Sequence, residues 1–142
     1  MEGQHASSES IDMPVLIPSS RVLRLCNPLQ KSPWDAEQVT QKLVKTALAN
    51  RWWSPAPVGH NATAELHATR IAFLVEHGWS DHIDIDVGVP SMRCYVYWPV
   101  LDGNHRLAAA SIRGDREILA MVGGCLDHAK KLFGVECEEI QH

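Results

Sequence analysis

Residues 98–115 read WPVLDGNHRLAAASIRGD. An aromatic and β-branched run gives way to glycine at Gly103, and then to Leu107-Ala108-Ala109-Ala110. Extended chain, a flexible turn and small helix formers in that order predict a strand that ends in a helix over about 104–113. Gly114 is the expected stop. The five residues at the change, DGNHR, place an acid, an amide, an imidazole and a guanidinium at a helix start.

The flanking segments extend this unit. HIDIDVGVP at 82–90 alternates: Ile83, Ile85 and Val87 share one side, Asp84 and Asp86 the other, as in a half-buried strand. RCYVYWPV at 93–100 predicts a second strand, with Cys94 as a small core residue, and EILAMV at 117–122 a third. CLDHAKKLF at 125–133 reads as a short helix stopped by Gly134. Toward the N-terminus, Asn61 or Thr63 caps a helix whose stripe is Leu66, Ile71, Leu74 and Val75, ended near Gly78. Ser32, Pro33 and Asp35 form a helix-start signature, and Val39, Leu43, Val44, Ala47 and Leu48 recur at helical spacing, so the expected helix covers 33–50. PVLIP and RVLRL are short β-compatible runs, and CNPLQKSPW is a loop. Residues 1–13 form a polar tail; residues 14–142 form one compact domain of mixed α/β (α+β) class.

The 142 residues are 45% hydrophobic with a net charge of −4, which suits an ordinary core and argues against a general nucleic-acid coat. A local basic patch for DNA stays open. No apolar run approaches the roughly 20 residues that span a bilayer, and no basic-then-apolar leader opens the chain. Cys26, Cys94, Cys125 and Cys137 form no CxxC pair, so the expectation is reduced thiols in a cytoplasmic protein rather than a structural zinc site.

A glycine turn into a helix leaves the first helical N–H groups without intrahelical partners and adds partial positive charge. Gly103, Asn104, His105 and Arg106 therefore form a candidate phosphate site, with Arg106 as a forked donor. Asp102 would hold a Mg²⁺ that bridges to phosphate, orient His105 or accept a proton. Asp84 and Asp86 would join Asp102 as metal ligands. His105 is the candidate for proton handling, because a free imidazole titrates near neutrality. A purely structural reading also stands: Asp102 caps the helix, Arg106 pairs with a surface acid, and the Asp84/Asp86 side is a solvated strand face.

Weaker candidates lie elsewhere. His77, Asp81 and His82 surround a turn and would bind metal or move protons. His60 and His67 straddle a helix start without metal-ligand spacing. Arg70 reaches either a ligand or a surface acid, and Trp52-Trp53 cover a core edge or flank a ligand.

VLDGNHRLAAASIRGD resembles the phosphate-binding segment of the ParB/sulfiredoxin superfamily, written Gly-x-x-Arg followed by small residues: here Gly103, Arg106, Ala109 and Ala110. RIAFLVEHGW and DHIDIDVGVP resemble the family's preceding helix and strand, and Asn27-Pro28 its early Asn-Pro segment. The resemblance spans residues 15–124 and implies that fold with a nucleotide-type phosphate site. Sulfiredoxins carry a catalytic Cys in this turn, whereas this chain has Asn104-His105, which speaks against sulfinic acid reduction. Eighteen residues after Gly124 are too few for a helix-turn-helix DNA-reading domain. The resulting expectation is a domain that binds a nucleotide such as ATP or CTP, or a small phosphorylated ligand, with Mg²⁺-assisted hydrolysis or phosphoryl transfer. The alternatives are a ParB-like nuclease, with Asp86, Asp102 and His105 activating water on DNA, and a non-catalytic module or inhibitor from a mobile element that binds a protein partner.

Overall fold

The computed structural model describes residues 13–134. The expected tail over 1–13, Met13 apart, lies outside the described residues, as does Cys137. The elements run β1 (Val15–Pro18), α1 (Ser19–Leu25), α2 (Gln41–Asn50), α3 (Ala64–His77), β2 (Ile83–Asp86), β3 (Val100–Asp102), α4 (Asn104–Arg113), β4 (Glu117–Gly123) and α5 (Leu126–Phe133). The architecture is mixed α and β, as expected, in one compact domain.

The four strands form one sheet in the order β1-β4-β2-β3. β4 pairs antiparallel with β1 and parallel with β2, while β3 is antiparallel to β2. Period-2 burial aligns the strands. Ile17, Ile83, Ile85, Ile118, Ala120 and Val122 face a core closed by Val22, Leu107, Ala110, Ala129 and Phe133 from α1, α4 and α5. A second core lies between α2, α3 and α4 and contains Val44, Ala47, Ala68, Ile71, Ala72, Leu74, Ala108 and Ala109. α4 therefore borders both cores: Leu107 and Ala110 turn to the sheet, Ala108 and Ala109 to α2 and α3. Three consecutive alanines let its backbone approach both neighbours. Its bounds, 104–113 with Gly114 at a φ of 76°, agree with the sequence reading.

Several expectations are corrected. RVLRL belongs to helix α1, whose start is tied to the residue before β4 by Ser19 N–H donating to Arg116 O at 2.9 Å. The helix expected over 33–50 begins only at Gln41, capped by Thr40, whose side chain accepts from Leu43 N. Ser32 instead makes a local turn, its Oγ accepting from Trp34 N at 3.2 Å. Leu66 leaves the expected stripe and is exposed, because Ala64, His67, Ala68, Ile71, Ala72 and Leu74 form the buried face of α3. Thr63, rather than Asn61, caps that helix.

RCYVYWPV is not a continuous strand. Residues 90–92 make a 3-10 turn, Arg93 takes a left-handed φ of 60°, and Cys94 forms only an isolated bridge to Val89. Gly88 explains the local path: a Cβ there would lie 2.4 Å from Cys94 O, so the loop closes on bare backbone. Regular pairing with β2 resumes where Asp86 N–H donates to Pro99 O. Cys94 is consequently exposed rather than in the core, as are Tyr95 and Tyr97.

Candidate functional site

Gly103 is the N-cap of α4, at φ 103° and ψ 20°. A Cβ there would lie 2.4 Å from Ile83 Cγ2, so both conformation and space require glycine. No side chain caps this end, Asp102 included. The uncapped helix start borders a cleft of about 630 Å³ lined by Asp102, Gly103, Asn104 and His105, by Lys31 and Trp34 from the loop before α2, by His60, and by Tyr97 and Trp98. Lys31 Nζ lies 4.5 Å from the centroid of the Tyr97 ring. An uncapped helix start, an ammonium and aromatic walls supply the chemistry that holds an anion attached to a planar or apolar group.

The predicted phosphate residues are not equivalent. The Asn104 side chain is engaged within the protein, accepting from Trp98 Nε1 at 2.8 Å and donating to Val100 O at 3.3 Å, so it orients the Trp98 wall. Arg106 does not line the cleft; its Nη1 donates to His82 O at 2.7 Å, tying α4 to the start of β2. Arg70 donates to the carbonyls of Ser54 and Pro55 at 3.3 and 3.0 Å and holds the loop before α3. Among the described residues neither guanidinium has a carboxylate partner.

His105 meets a partner that sequence reading did not assign. His67 Nδ1 and His105 Nε2 are 2.8 Å apart. The ring centroids are 5.1 Å apart and the planes differ by 22°, so the imidazoles meet edge to edge. Trp34 covers both, with centroids 4.4 Å from His67 and 4.5 Å from His105. His67 is fully buried and its Nε2 lacks a hydrogen-bond partner. Burial lowers the His67 pKa. Burial pushes His105 down to about 3, and the neighbouring His67, Arg70 and Arg106 act in the same direction. His105 is therefore a neutral imidazole near pH 7, unlike the free imidazole assumed for proton handling. The available signal was His67 itself, a polar residue inside the buried stripe of Ala64, Ala68 and Ile71.

The carboxylates divide between two depressions. Asp102 lines the cleft; Asp84 and Asp86 line a second, shallower hollow, and Leu101 borders both. Asp84 stands opposite Asp102 in the β2/β3 register and pairs with His82 Nδ1 at 3.2 Å. Asp86 Oδ1 accepts from Gly88 N at 2.8 Å. Among the described residues no three His, Cys, Asp or Glu side chains gather as a metal-ligand set. Asp86 is likewise separated from the cleft that Asp102 and His105 share.

The weaker candidates also disperse. His77 stacks on Phe73 and meets the edge of Trp53, whereas His82 turns to Asp84 and Asp81 is exposed. Trp53 covers the α2/α3 core and Trp52 is exposed. Asn27 Oδ1 accepts from Leu29 N in a local turn beside buried Pro28. Among the described residues no helix is long and apolar enough to cross a membrane. Comparison of the chain with models of known protein families, with curated proteins and with solved structures gives no match.

Proposed function

We propose that this protein binds a nucleotide or a related phosphate compound, with the phosphate at the start of α4 and the remainder along the aromatic walls of the cleft. The observation that carries the reading is the uncapped Gly103 turn opening between Lys31, Trp34, Tyr97 and Trp98. The amides supply fixed donors, Lys31 supplies charge, and the aromatic faces suit a base. Its order of helix, strand, DGNHR turn and small-residue helix supports assignment to a ParB/sulfiredoxin-like group. Within this proposal Asp102 is, among the described residues, the one carboxylate that lines the cleft. Phosphoryl chemistry in this proposal uses a Mg²⁺ that bridges Asp102 and the phosphate. A thermal-shift screen of nucleoside mono-, di- and triphosphates, each with and without Mg²⁺, tests the reading. Nucleotides should raise the midpoint, and Lys31→Ala should reduce the rise; no response to any of them removes the proposal.

A second reading has its own support. Met92, Tyr95, Tyr97 and Leu101 are exposed beside the edge strand β3. Such a patch suits a protein partner. Retained partner binding after Lys31→Ala, with no nucleotide response in the parent chain, would favour an interaction module.

A further inference from the structure

Among the described residues, Trp34, Tyr97 and Trp98 give the cleft its aromatic walls. They are not equally supported. Tyr97 is exposed and carries Lys31 Nζ over its ring. Trp98 is held at its edge, where Nε1 donates to Asn104 Oδ1. Trp34 is held across a whole face. Its indole rests on both imidazoles, with centroids 4.4 and 4.5 Å away and planes inclined by 18° and 19°. The His67 and His105 rings lie edge to edge, joined by the 2.8 Å contact between nitrogens, so the indole sits over their junction. One hydrogen makes that contact, and either ring can supply it without changing the planes. His67 is costly to the core. It is fully buried on α3 among Ala64, Ala68 and Ile71, and its Nε2 has no hydrogen-bond partner. Leucine would fill the position without an unpaired polar atom. What leucine lacks is a flat ring and a nitrogen that fixes a second ring beside it.

We infer that Trp34 is the platform on which the base of a purine nucleotide stacks, and that His67 is a positioning residue that, with His105, holds the indole flat. The inference rests on reading this cleft as the phosphate site. One indole face is committed to the imidazoles, and Trp34 still lines the cleft, so the other side is what a ligand meets. A bicyclic platform shares more area with a bicyclic base than with a six-membered ring, and stacking grows with the area shared. His105 belongs to the first turn of α4, so the platform and the anion-binding helix start are fixed to one element.

Titrations of the full chain with adenosine 5′-monophosphate, cytidine 5′-monophosphate and ribose 5-phosphate, read on the Gly103 and Asn104 amide signals, test this. The adenosine nucleotide should bind about tenfold more tightly than ribose 5-phosphate, the effect of one stacked base, with the cytidine nucleotide between them. It should also displace the Trp34 indole N–H signal, identified by its loss in Trp34→Leu; ribose 5-phosphate should not. The ratio of the two affinities is the readout, because a general loss of structure lowers both. Trp34→Leu and His67→Leu should each bring the ratio close to one. His67→Phe, which keeps a flat ring beneath the indole, should retain most of it. If His67→Leu does not fold, the parent chain and Trp34→Leu still decide the platform, and loss of the preference in His67→Phe counts against the support. Equal affinities in the parent, a cytidine nucleotide bound as tightly as the adenosine one, or a preference that survives Trp34→Leu overturns the inference and leaves the phosphate site standing. No response to any of the three compounds overturns the phosphate site itself and the platform with it.

Discussion

Gly103 stands against Ile83: the vacant Cβ position of the glycine lies 2.4 Å from Cγ2 and 2.8 Å from Cβ of the isoleucine. The turn that opens the cleft is thus packed onto the middle of the sheet, so the site's geometry and the core's integrity share one contact. Gly103→Ala introduces both a strained positive φ and a steric overlap. The expected cost is about 2–5 kcal/mol in urea unfolding. A loss under about 1 kcal/mol would show that the turn can relax away from Ile83.

Arg106 is expected from sequence to serve a ligand with little effect on stability. Its bond to His82 O changes that forecast. Arg106→Ala should cost about 1–2 kcal/mol of stability by removing a charge-assisted bond to a main-chain carbonyl. Lys31→Ala, at an exposed cleft position, should leave stability within about 0.5 kcal/mol. Parallel urea curves check the contrast, and equal stability of the two variants would contradict it.

The imidazole pair predicts acid sensitivity. The His105 pKa falls from 6.5 to about 3 on folding, and that of His67 also falls. The unfolded chain therefore binds more protons between these values. The resulting stability is fully present above about pH 6.5 and is lost progressively as pH drops toward about 3. His105→Gln should flatten this slope. Urea midpoints measured from pH 7 to pH 4 give the comparison; parallel slopes for parent and variant would assign acid sensitivity to other groups.

Thr63 and Thr40 cap α3 and α2 with bonds to Leu66 N and Leu43 N. Each Thr→Ala change should cost about 1 kcal/mol, and each Thr→Ser change much less. Helical circular dichroism during thermal melts measures both. Asn61→Ala serves as a control and should be neutral, because Thr63 occupies the cap.

Sequence pattern reached the segments in which one period dominates. The alternation of Ile83 to Val87 and the Gly103-to-Gly114 span gave β2 and α4, with α4's bounds. RVLRL was too short for period 2 to be separated from period 3.6, and its helix depends on packing of Val22 beneath the sheet. Ser32-Pro33 imitated a helix start because a serine hydroxyl caps a turn as readily as a helix; Trp34 N took it. The site was half legible. DGNHR marked the turn, but His67 and His105 are 38 residues apart, and only the packing of α3 on α4 brings their nitrogens together. The same packing explains why the expected proton carrier stays neutral: the isolated residue type says nothing of Trp34 above it or of Arg70 and Arg106 beside it.

The position of β4 has a consequence for synthesis. This strand lies between β1 and β2, yet it follows both in the chain; Val15 waits for Ala120 as its partner, and Ile83 for the same residue. On the ribosome, every earlier strand emerges before the one that joins them. Until residues 117–123 clear the exit tunnel, Ile17, Ile83 and Ile85 border open edges with unpaired main-chain groups. A nascent chain arrested after α4 would therefore hold a β2/β3 pair and the core shared by α2, α3 and α4, but no continuous sheet. Completion of the fold is a late, nearly single event, and the interval before it is when the chain most needs protection from its neighbours.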